Sequence, residues 1–489
     1  MPIDKQQAPL YEALAAHAGL RANSYHVPGH KQRAEWNDPR SAEFYRALLP
    51  LDVTELADTD DLHHPQGPLA EAQRLAAQCF GAKETSFLVG GSTSGNLAMI
   101  LGTGSPGDLY IVQRNVHKSI IHGLMLAGAR AVMLAPQIDS RARLAVIPRE
   151  SSIQAALERY PEARGVILST PNYYGMASSL DRIVHLAHKR GVPVLVDEAH
   201  GAHLGFHPAF PESALRAGAD VVVQSTHKML SAMTMGAMLH MQGDIVDREA
   251  IKQALRMVQS SSPSFPILAS LDLARRQLHT SGAAAFEPAL EAVRIVTDRL
   301  EETLFRAIGY GSFASDWIRY DPLKLVLFDQ DGKLSGTELR DELAERNCIA
   351  EMADDRYAVL AFGPGSSRSD GEALLEALRG ISDRIRGLTS NPTRLTVGET
   401  EESQPEADVP EPVTFRRGTL SAKPVRLEDS EGLIAGEWVI PYPPGIPVLY
   451  PGETITKNKI VELLRWRASG AQIQGALDAA LEHIVVQGE

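Results

Sequence analysis

The sequence predicts an α/β protein built on a mostly parallel sheet that is covered by helices on both faces. Short apolar runs alternate with amphipathic stretches from Thr85 onward. Clusters of polar residues follow these apolar runs, at the points where the predicted strands end. Because ligands bind beyond the carboxyl ends of the strands in such sheets, those clusters are the candidate functional site.

Seven apolar runs are predicted to be the strands of this sheet. They span 85–89, 109–112, 131–134, 165–168, 192–196, 221–224 and 237–241. Helices are predicted between them where apolar residues recur at helical spacing, at 94–101, 116–127, 153–160 and 180–189. Two further helices are predicted ahead of the first strand, at 9–19 and 67–80.

Composition excludes several classes of function. The chain is 44% hydrophobic and 22% charged, as soluble globular proteins are, and its net charge of −13 argues against nucleic-acid binding. No apolar run approaches the length of a membrane span, and the N-terminus lacks the apolar core of a signal peptide. Cys79 and Cys348 have no metal spacing and fit a reducing compartment. We therefore expect a cytoplasmic protein without a membrane or nucleic-acid partner.

The first predicted strand is followed by a segment that favours an anion. Two glycines, Gly90 and Gly91, precede three hydroxyl residues, Ser92, Thr93 and Ser94, and a helix then begins. Glycines let the backbone approach a ligand closely, and the free amides of a helix start bind anions. An ordinary capped helix start is the alternative, but the glycines with three consecutive hydroxyls favour phosphate. The segment lacks the Gly-Lys-Ser/Thr of a P-loop.

The fifth and sixth strands end in a carboxylate and a lysine. Asp197 follows five apolar residues, so its carboxylate is expected to be buried and to need a partner such as a protonated pyridine nitrogen. Lys228 ends a Ser-Thr-His-Lys stretch, and its amine can condense with an aldehyde while Ser225 and His227 reach a phosphate. His117 opens a helix after the second strand and could stack on a flat ring. In this order, the features predict pyridoxal phosphate (PLP) on the fold of aspartate aminotransferase.

Asp197 also begins a series with His200, His203 and His207 that looks like a set of metal ligands. A metal there would leave Lys228 and the phosphate segment without a use. We therefore predict no metal.

Seven motifs are distributed almost from end to end of the chain. They are Pro28-Gly29-His30-Lys31-Gln32, Asp60-Asp61-Leu62-His63, Gly91-Ser92-Thr93, Arg114-Asn115-Val116-His117-Lys118-Ser119, Val196-Asp197-Glu198-Ala199-His200-Gly201, Ser225-Thr226-His227-Lys228 and Tyr442-Pro443-Pro444-Gly445-Ile446-Pro447. These motifs resemble the Orn/Lys/Arg decarboxylase family, of PLP fold type I, in the short bacterial form of its arginine decarboxylase branch. The resemblance implies that the N-terminal receiver-like wing of the large enzymes is lacking. Two positions depart from the family pattern, Arg33 where glycine is common and Gly90 where a polar amide is common.

The resemblance implies PLP-dependent decarboxylation of a basic L-amino acid. We predict arginine, giving agmatine and CO2 for polyamine biosynthesis, with lysine (to cadaverine) or ornithine (to putrescine) as alternatives. The implied catalytic residues are Lys228, Asp197, His117 and His200. The implied cofactor contacts are Ser92, Thr93, Ser94, His117, Asp197, Ala199, His200, Ser225, His227 and Lys228. A cationic substrate needs carboxylates, and the expected substrate contacts are Glu55, Asp60, Asp61, His63, His30 and Tyr442.

The resemblance further implies a homodimer, or a dimer of dimers, with active sites shared between subunits. Two other functions on this fold remain open. In an aminotransferase, Arg356 or Arg368 would hold the substrate carboxylate. A non-catalytic member would regulate polyamine metabolism by binding partners and would not bind PLP.

A chain of 489 residues is expected to form two or three domains. We predict an N-terminal helix with active-site loops (1–60), a large PLP-binding domain (61–305), a small α+β domain (306–389), an acidic linker (390–412) and a C-terminal α+β domain (413–489). The large domain is predicted to end in helices over 245–305, including a long run at 287–304. The small domain is predicted to combine strands at 324–328 and 357–361 with helices at 336–346 and 370–387.

Overall fold

The computed structural model describes residues 4–33, 36–388, 409–416, 422–442, 445–468 and 472–488. Most of the predicted linker, 390–408, lies outside these residues, as do Pro443 and Pro444 of the Tyr442 motif. Within the described ranges, no helix combines the length and the apolarity that crossing a bilayer requires.

The elements are numbered in chain order. The helices are α1 (Pro9–Gly19), α2 (Pro39–Tyr45), α3 (Pro68–Phe80), α4 (Gly91–Thr103), α5 (Lys118–Ala127), α6 (Glu150–Arg159), α7 (Asp181–His188), α8 (Thr226–Met229), α9 (Arg248–Val258), α10 (Phe265–Ser281), α11 (Glu287–Thr297), α12 (Gly336–Ala344), α13 (Arg368–Ile385) and α14 (Lys457–Ala468). The strands are β1 (Glu84–Leu88), β2 (Leu109–Gln113), β3 (Arg130–Leu134), β4 (Gly165–Ser169), β5 (Met176–Ala177), β6 (Val194–Asp197), β7 (Val221–Gln224), β8 (Ala237–Met241), β9 (Phe305–Ala307), β10 (Arg319–Tyr320), β11 (Lys324–Asp329), β12 (Met352–Ala353), β13 (Ala358–Ala361), β14 (Val413–Thr414), β15 (Ala422–Arg426), β16 (Ile440–Pro441), β17 (Ile473–Gln474) and β18 (His483–Gln487).

The chain divides into two compact units, and each holds four strands of the large, mostly parallel sheet. The first unit comprises Met1–Thr103, Ser179–Val184 and Pro193–Glu287, and the second comprises Gly104–Ser178, His185–Val192 and Pro288–Glu489.

In the first unit the strand order is β1-β8-β7-β6. β6 and β7 run parallel, whereas β8 is antiparallel to both β7 and β1. Helices α1, α3 and α10 bury apolar side chains in a common core with this sheet. That core includes Leu10, Leu14, Leu69, Phe87 and Phe265.

In the second unit the order is β4-β2-β3-β14. β2 is parallel to β3 and β4, and the short β14 adds to the edge in the antiparallel sense, with Val413 opposite Ala131. A separate antiparallel sheet, β12-β13-β11-β9, contacts helix α12. The C-terminal part pairs β15 with β18 and β16 with β17 around a core of its own that includes residues of α14.

All seven predicted strands of the large sheet are present, and the predicted fold class is confirmed. The long helical run predicted over 287–304 is wrong at its end. Helix α11 stops at Thr297, and β9 follows at Phe305–Ala307, antiparallel to β11. Strand pairing with a distant segment overrides local helical spacing here, because Phe305 is fully buried in that arrangement.

Gly95 allows helix α4 to lie close to the sheet. A Cβ atom there would come within 2.6 Å of Val223 Cγ1 and 2.8 Å of Leu88 Cδ1. Gly380 of α13 is also helical, but its nearest neighbour, Arg346 Nε, would be 3.7 Å away. The replacement by alanine therefore has opposite consequences at the two sites.

We expect Gly95→Ala to lower the free energy of unfolding by about 1–3 kcal/mol through overpacking. Gly380→Ala should raise it by about 0.5–1 kcal/mol, because alanine loses less backbone entropy than glycine in a helix. Urea unfolding of both variants beside the parent measures this. Equal effects at the two positions would contradict the close packing of α4.

Candidate active site

The candidate site begins at the ends of two neighbouring parallel strands. β6 ends at Asp197, and β7 leads through Ser225 into the short helix α8, which carries Lys228. The register pairs Asp197 with Val223, so both strands end at the same edge of the sheet. Burial raises the pKa of the Asp197 carboxyl, and the positive charge of Lys228 opposes that rise, which is the effect of a nearby cation.

The Asp197 carboxylate is buried and held by two donors. Asn96 of α4 donates from Nδ2 to Oδ2 at 2.9 Å, and the Ala199 backbone N–H donates to Oδ1 at 3.2 Å. Burial raises the pKa of Asp197 above its ordinary value, although Lys228 and these hydrogen bonds oppose the shift. A cationic partner that entered the site would therefore stabilise the ionised carboxylate.

Lys228 is exposed and contacts a buried histidine. Its Nζ lies 3.0 Å from Nε2 of His200. An ammonium group can only donate, so the imidazole Nε2 accepts when Lys228 is charged. This contact allows a proton to pass between the lysine and the histidine.

The hydroxyl residues predicted to bind phosphate begin helix α4. Ser92 is half-buried and Thr93 is exposed in its first turn, where backbone amides face a potential anion. Ser94 is buried, and its hydroxyl donates to the Gly91 carbonyl oxygen at 2.9 Å. A Cβ at Gly90 would lie 3.1 Å from the Ser94 side chain, so the departure from the family pattern at this position gives Ser94 its space.

Two buried hydroxyls test whether the site fits a phosphate-bearing cofactor. Ser225 Oγ and Thr226 Oγ1 are both buried, and neither has a hydrogen-bond partner among the described residues. Buried hydroxyls normally have partners, so a ligand with acceptor oxygens is the kind of group these two accommodate. The neighbouring His227 donates from Nδ1 to the Gly236 carbonyl oxygen at 3.0 Å. With Asp197 and Lys228, the residues present fit PLP.

A buried polar network that the sequence did not reveal joins the two strand ends. Glu198 accepts hydrogen bonds from the Ser213 hydroxyl (2.7 Å), the Gln224 amide (2.6 Å) and the Ala214 N–H (2.6 Å). Burial raises the pKa of Glu198 to about 7. Glu198 and Gln224 adjoin Asp197 and Ser225, so this network fixes both strand ends from within.

The network extends to a histidine that is neutral. Gln224 uses its amide nitrogen on Glu198, so its Oε1 accepts from Nε2 of His240 at 3.1 Å. The Thr85 hydroxyl then donates to Nδ1 of His240 at 2.8 Å. Burial lowers the pKa of His240 to about 3, so the ring holds no charge at neutral pH.

Sequence reasoning missed Asn96, Thr226 and this network. Asn96 lies one turn inside helix α4, and the sequence pattern pointed only to the start of that helix. Glu198 lies in one of the seven motifs, but its hydrogen-bond partners are 15–26 residues further along the chain. No local sequence pattern predicts that they meet it.

Two of the histidines that were considered as metal ligands have different neighbours. His203 packs against Phe210 and Phe286, with ring centroids 4.8 and 6.2 Å apart. His207 pairs with Glu287 at 3.1 Å. In the part of the chain that the structure describes, no three His, Cys, Asp or Glu side chains are grouped to hold a metal ion.

Asp60, an expected substrate contact, stabilises the backbone instead. Its carboxylate accepts from the amides of Asp61, Gln66, Gly67, Leu69 and Ala70, at 2.8–3.3 Å. Burial alone would raise its pKa, but these amides outweigh burial and hold the pKa below its ordinary value. Asp60 therefore anchors the start of α3, and we leave it out of the proposed substrate contacts.

The other expected substrate contacts in the first unit differ in how many of their polar atoms already have hydrogen-bond partners. Glu55 receives the Thr54 hydroxyl on Oε2 at 2.5 Å, while its Oε1 is buried without a partner in the described chain. His30 bonds to the Asp52 carboxylate at 3.0 Å and His63 to a backbone carbonyl at 2.8 Å. Asp61 accepts from the His63 N–H at 2.7 Å.

His117 and Tyr442 belong to the second unit. His117 caps helix α5, where the Ser119 N–H donates to its Nδ1 at 3.2 Å. Tyr442 is 45% exposed, and the Lys118 amine lies 5.5 Å from the centroid of its ring. That His117 stacks on the cofactor stays a prediction.

Known proteins are similar to this chain over nearly its whole length. Residues 8–305 match the Orn/Lys/Arg decarboxylase major domain, and residues 409–473 match the C-terminal domain of that family. The chain is 40% identical over 480 residues to the uncharacterized protein YaaO of Bacillus subtilis (strain 168), covering 98% of each chain. It is 35% identical over 490 residues to an arginine decarboxylase of the same organism, covering 99% of this chain and 98% of the relative.

A solved structure shares the fold. The crystal structure of the Francisella novicida lysine decarboxylase LdcF is similar with a TM-score of 0.80 at 20% identity. The likeness covers 99% of this chain and 81% of that chain. At this identity the comparison concerns the fold alone.

The raised pKa of Glu198 predicts a specific pH dependence of stability. Above pH 4.5, its ordinary pKa, the carboxyl ionises in the unfolded chain but stays protonated in the folded chain up to pH about 7. The folded state then binds more protons, so this residue should reduce the free energy of unfolding by about 1.4 kcal/mol per pH unit as pH rises through that window.

Glu198→Gln removes this titration. Urea unfolding from pH 4 to 8 should show that the free energy of unfolding of the variant rises relative to that of the parent between pH 4.5 and 7. Outside that range the difference between the two proteins should be constant. Replacing the exposed Glu301 by Gln serves as the control. A difference for Glu198→Gln that does not change with pH would show that burial does not perturb this carboxyl.

Proposed function

Because the chain belongs to the Orn/Lys/Arg decarboxylase family, whose enzymes use PLP, we propose that it decarboxylates arginine to agmatine and CO2. One observation carries the proposal: a buried carboxylate, Asp197, and an exposed amine, Lys228, stand at the same edge of adjacent parallel strands. Arginine is favoured because the relative named arginine decarboxylase is 35% identical along the whole chain.

PLP, when bound, supplies an electron sink for the bond pair that the departing CO2 leaves at Cα. The role proposed for Asp197 is electrostatic. Its buried carboxylate would keep a positive charge on the pyridine nitrogen of bound PLP, and Asn96 and Ala199 fix its oxygen atoms in place. The low polarity of the buried site strengthens that attraction.

Lys228 and His200 move the protons. His200 Nε2 can take a proton from the Lys228 ammonium 3.0 Å away, and the neutral lysine amine that results is the form that would hold an aldehyde cofactor. One of the same two groups later returns a proton to Cα. Ser92, Thr93, Ser225 and His227 are the proposed phosphate contacts, with Ser94 buried behind them.

Carboxylates are proposed to hold the distal cation of the substrate. Glu55 is the strongest candidate because its buried Oε1 has no partner among the described residues. Asp61, His30, His63 and Tyr442 remain proposed contacts. A guanidinium can be held by two parallel hydrogen bonds, whereas an ammonium acts as a point charge.

The substrate is a small amino acid, as the family implies. A homodimer or dimer of dimers with shared sites, and a cytoplasmic location, belong to the proposal. The two cysteines, Cys79 and Cys348, are both free thiols, which fits a reducing compartment.

No observation favours the two rival functions. Arg368, a possible carboxylate binder in an aminotransferase, is exposed and paired with Glu372 at 2.7 Å. The guanidinium of Arg356 stacks 5.2 Å from the rings of Phe328 and Tyr357. A regulator without PLP would have no use for a buried Asp197.

Purified protein loaded with PLP should release CO2 from arginine and form agmatine, with less product from lysine or ornithine. Product identification by mass spectrometry distinguishes the three substrates. Lys228→Ala should lose at least about 100-fold in rate. Lys189→Ala, at an exposed position, is the matched control. Keto-acid formation in place of CO2, or full activity of Lys228→Ala, would contradict the proposal.

Asp197→Asn separates catalysis from folding. The replacement keeps the shape of the side chain and removes a buried charge, and a flip of the Asn96 amide lets its oxygen accept from the new NH2 group, so the stability of the apoprotein should stay within about 1–2 kcal/mol of the parent. The rate should fall about 100-fold or more, because a neutral amide does not keep the pyridine nitrogen protonated. Thermal melts of the apoprotein and turnover of the loaded enzyme give the two values. Equal losses in both would identify Asp197 as a structural acid.

A further inference from the structure

We propose that the C-terminal segment 445–453 positions the imidazole of His117, and that Gly445 is the residue through which it does so. The inference rests on the proposed function and on the sequence-based prediction that His117 contacts the cofactor. Gly445 is a positioning residue, since it touches His117 rather than the reacting atoms.

One edge of the imidazole is fixed by helix α5. The Ser119 backbone N–H donates to Nδ1 of His117 at 3.2 Å, and the Ser119 hydroxyl lies 2.8 Å from the same atom. A backbone N–H can only donate, so Nδ1 is the acceptor, and the neutral ring carries its proton on Nε2. The start of α5 therefore sets both the tautomer and one edge of the ring.

The opposite edge of the ring lies against Gly445. A Cβ atom at this position would come 3.2 Å from Nε2 and 3.3 Å from Cδ2 of His117. The Gly445 carbonyl oxygen accepts from the Lys118 N–H at 3.2 Å, which ties the glycine to the residue after His117. Gly445 has φ +83°, a conformation that favours glycine. The imidazole is thus held between two segments more than 300 residues apart in sequence.

Arg114, three residues before His117, holds the segment in place. Its guanidinium makes paired hydrogen bonds to Glu453, from Nε to Oε1 at 2.7 Å and from Nη2 to Oε2 at 2.6 Å. It also donates to the carbonyl oxygens of Pro447 (2.9 Å) and Val448 (2.8 Å). Two-point recognition of a carboxylate fixes orientation as well as distance. The loop that carries His117 therefore binds the segment that contacts its ring.

Two glycines of the C-terminal part provide a matched test. Gly445 and Gly432 both have positive φ, +83° and +80°, so alanine strains the backbone at either position. Only Gly445 has the His117 ring beside it, whereas a Cβ at Gly432, which lies outside the segment 445–453, would have no neighbour within 4 Å. The difference between Gly445→Ala and Gly432→Ala therefore reports contact with His117 rather than backbone strain.

We expect Gly445→Ala to reduce kcat about 10-fold to 100-fold with little change in KM, because a small misplacement of a group at the site slows the chemical step. It should also change the visible circular dichroism of bound PLP and weaken PLP binding in a titration of the apoprotein. Gly432→Ala should lower the thermal midpoint to a similar extent and leave all three signals as in the parent. Equal responses of the two variants would overturn the proposal.

A double-mutant cycle with His117→Ala tests the route of the effect. If Gly445 acts through the imidazole, Gly445→Ala should alter neither the dichroism nor PLP binding further once His117 is alanine. Additive effects would overturn the inference, and so would unchanged PLP signals in His117→Ala alone. A parent protein that binds PLP but decarboxylates no basic amino acid would refute the proposed function instead, and the PLP signals would still decide the role of Gly445.

Discussion

The parallel pairing of β6 and β7 is the constraint on which the candidate site depends. Parallel neighbours end at the same sheet edge, and the register that places Asp197 opposite Val223 also determines where the chain after Gln224 emerges. An acid and an amine that are 31 residues apart in sequence thereby reach one side of the molecule. A slip of one residue in this register would turn the carboxylate to the other face of the sheet.

Burying the acid has a cost that the surroundings offset only in part. Asn96 and Ala199 supply donors to Asp197, yet burial still raises its pKa. The adjacent Glu198 is also buried, accepts from three donors and still has a raised pKa. Two buried carboxyls at successive positions disfavour full ionisation of both. A protein that keeps such a pair has a site suited to a positively charged partner.

Acidic residues of the same stretch of sequence make different hydrogen bonds in the folded chain. Asp60 and Asp61 are adjacent in an acidic stretch, but Asp60 bonds to five backbone amides and anchors α3. Glu55, five residues earlier, keeps a buried oxygen that has no hydrogen-bond partner among the described residues. A carboxylate that satisfies the backbone has little left to offer a substrate, whereas an unsatisfied one gains by binding a cation.

The sequence by itself determined the alternation of strands and helices, the seven strands of the large sheet and the polar residues at their ends. Those features follow from local hydrophobic spacing, which is set within a few residues. Only the tertiary structure decided that α11 stops at Thr297, that Asn96 bonds to Asp197, and that Gly445 lies against His117. Each of these joins segments far apart in the chain, and local spacing contains no information on which distant atoms will meet.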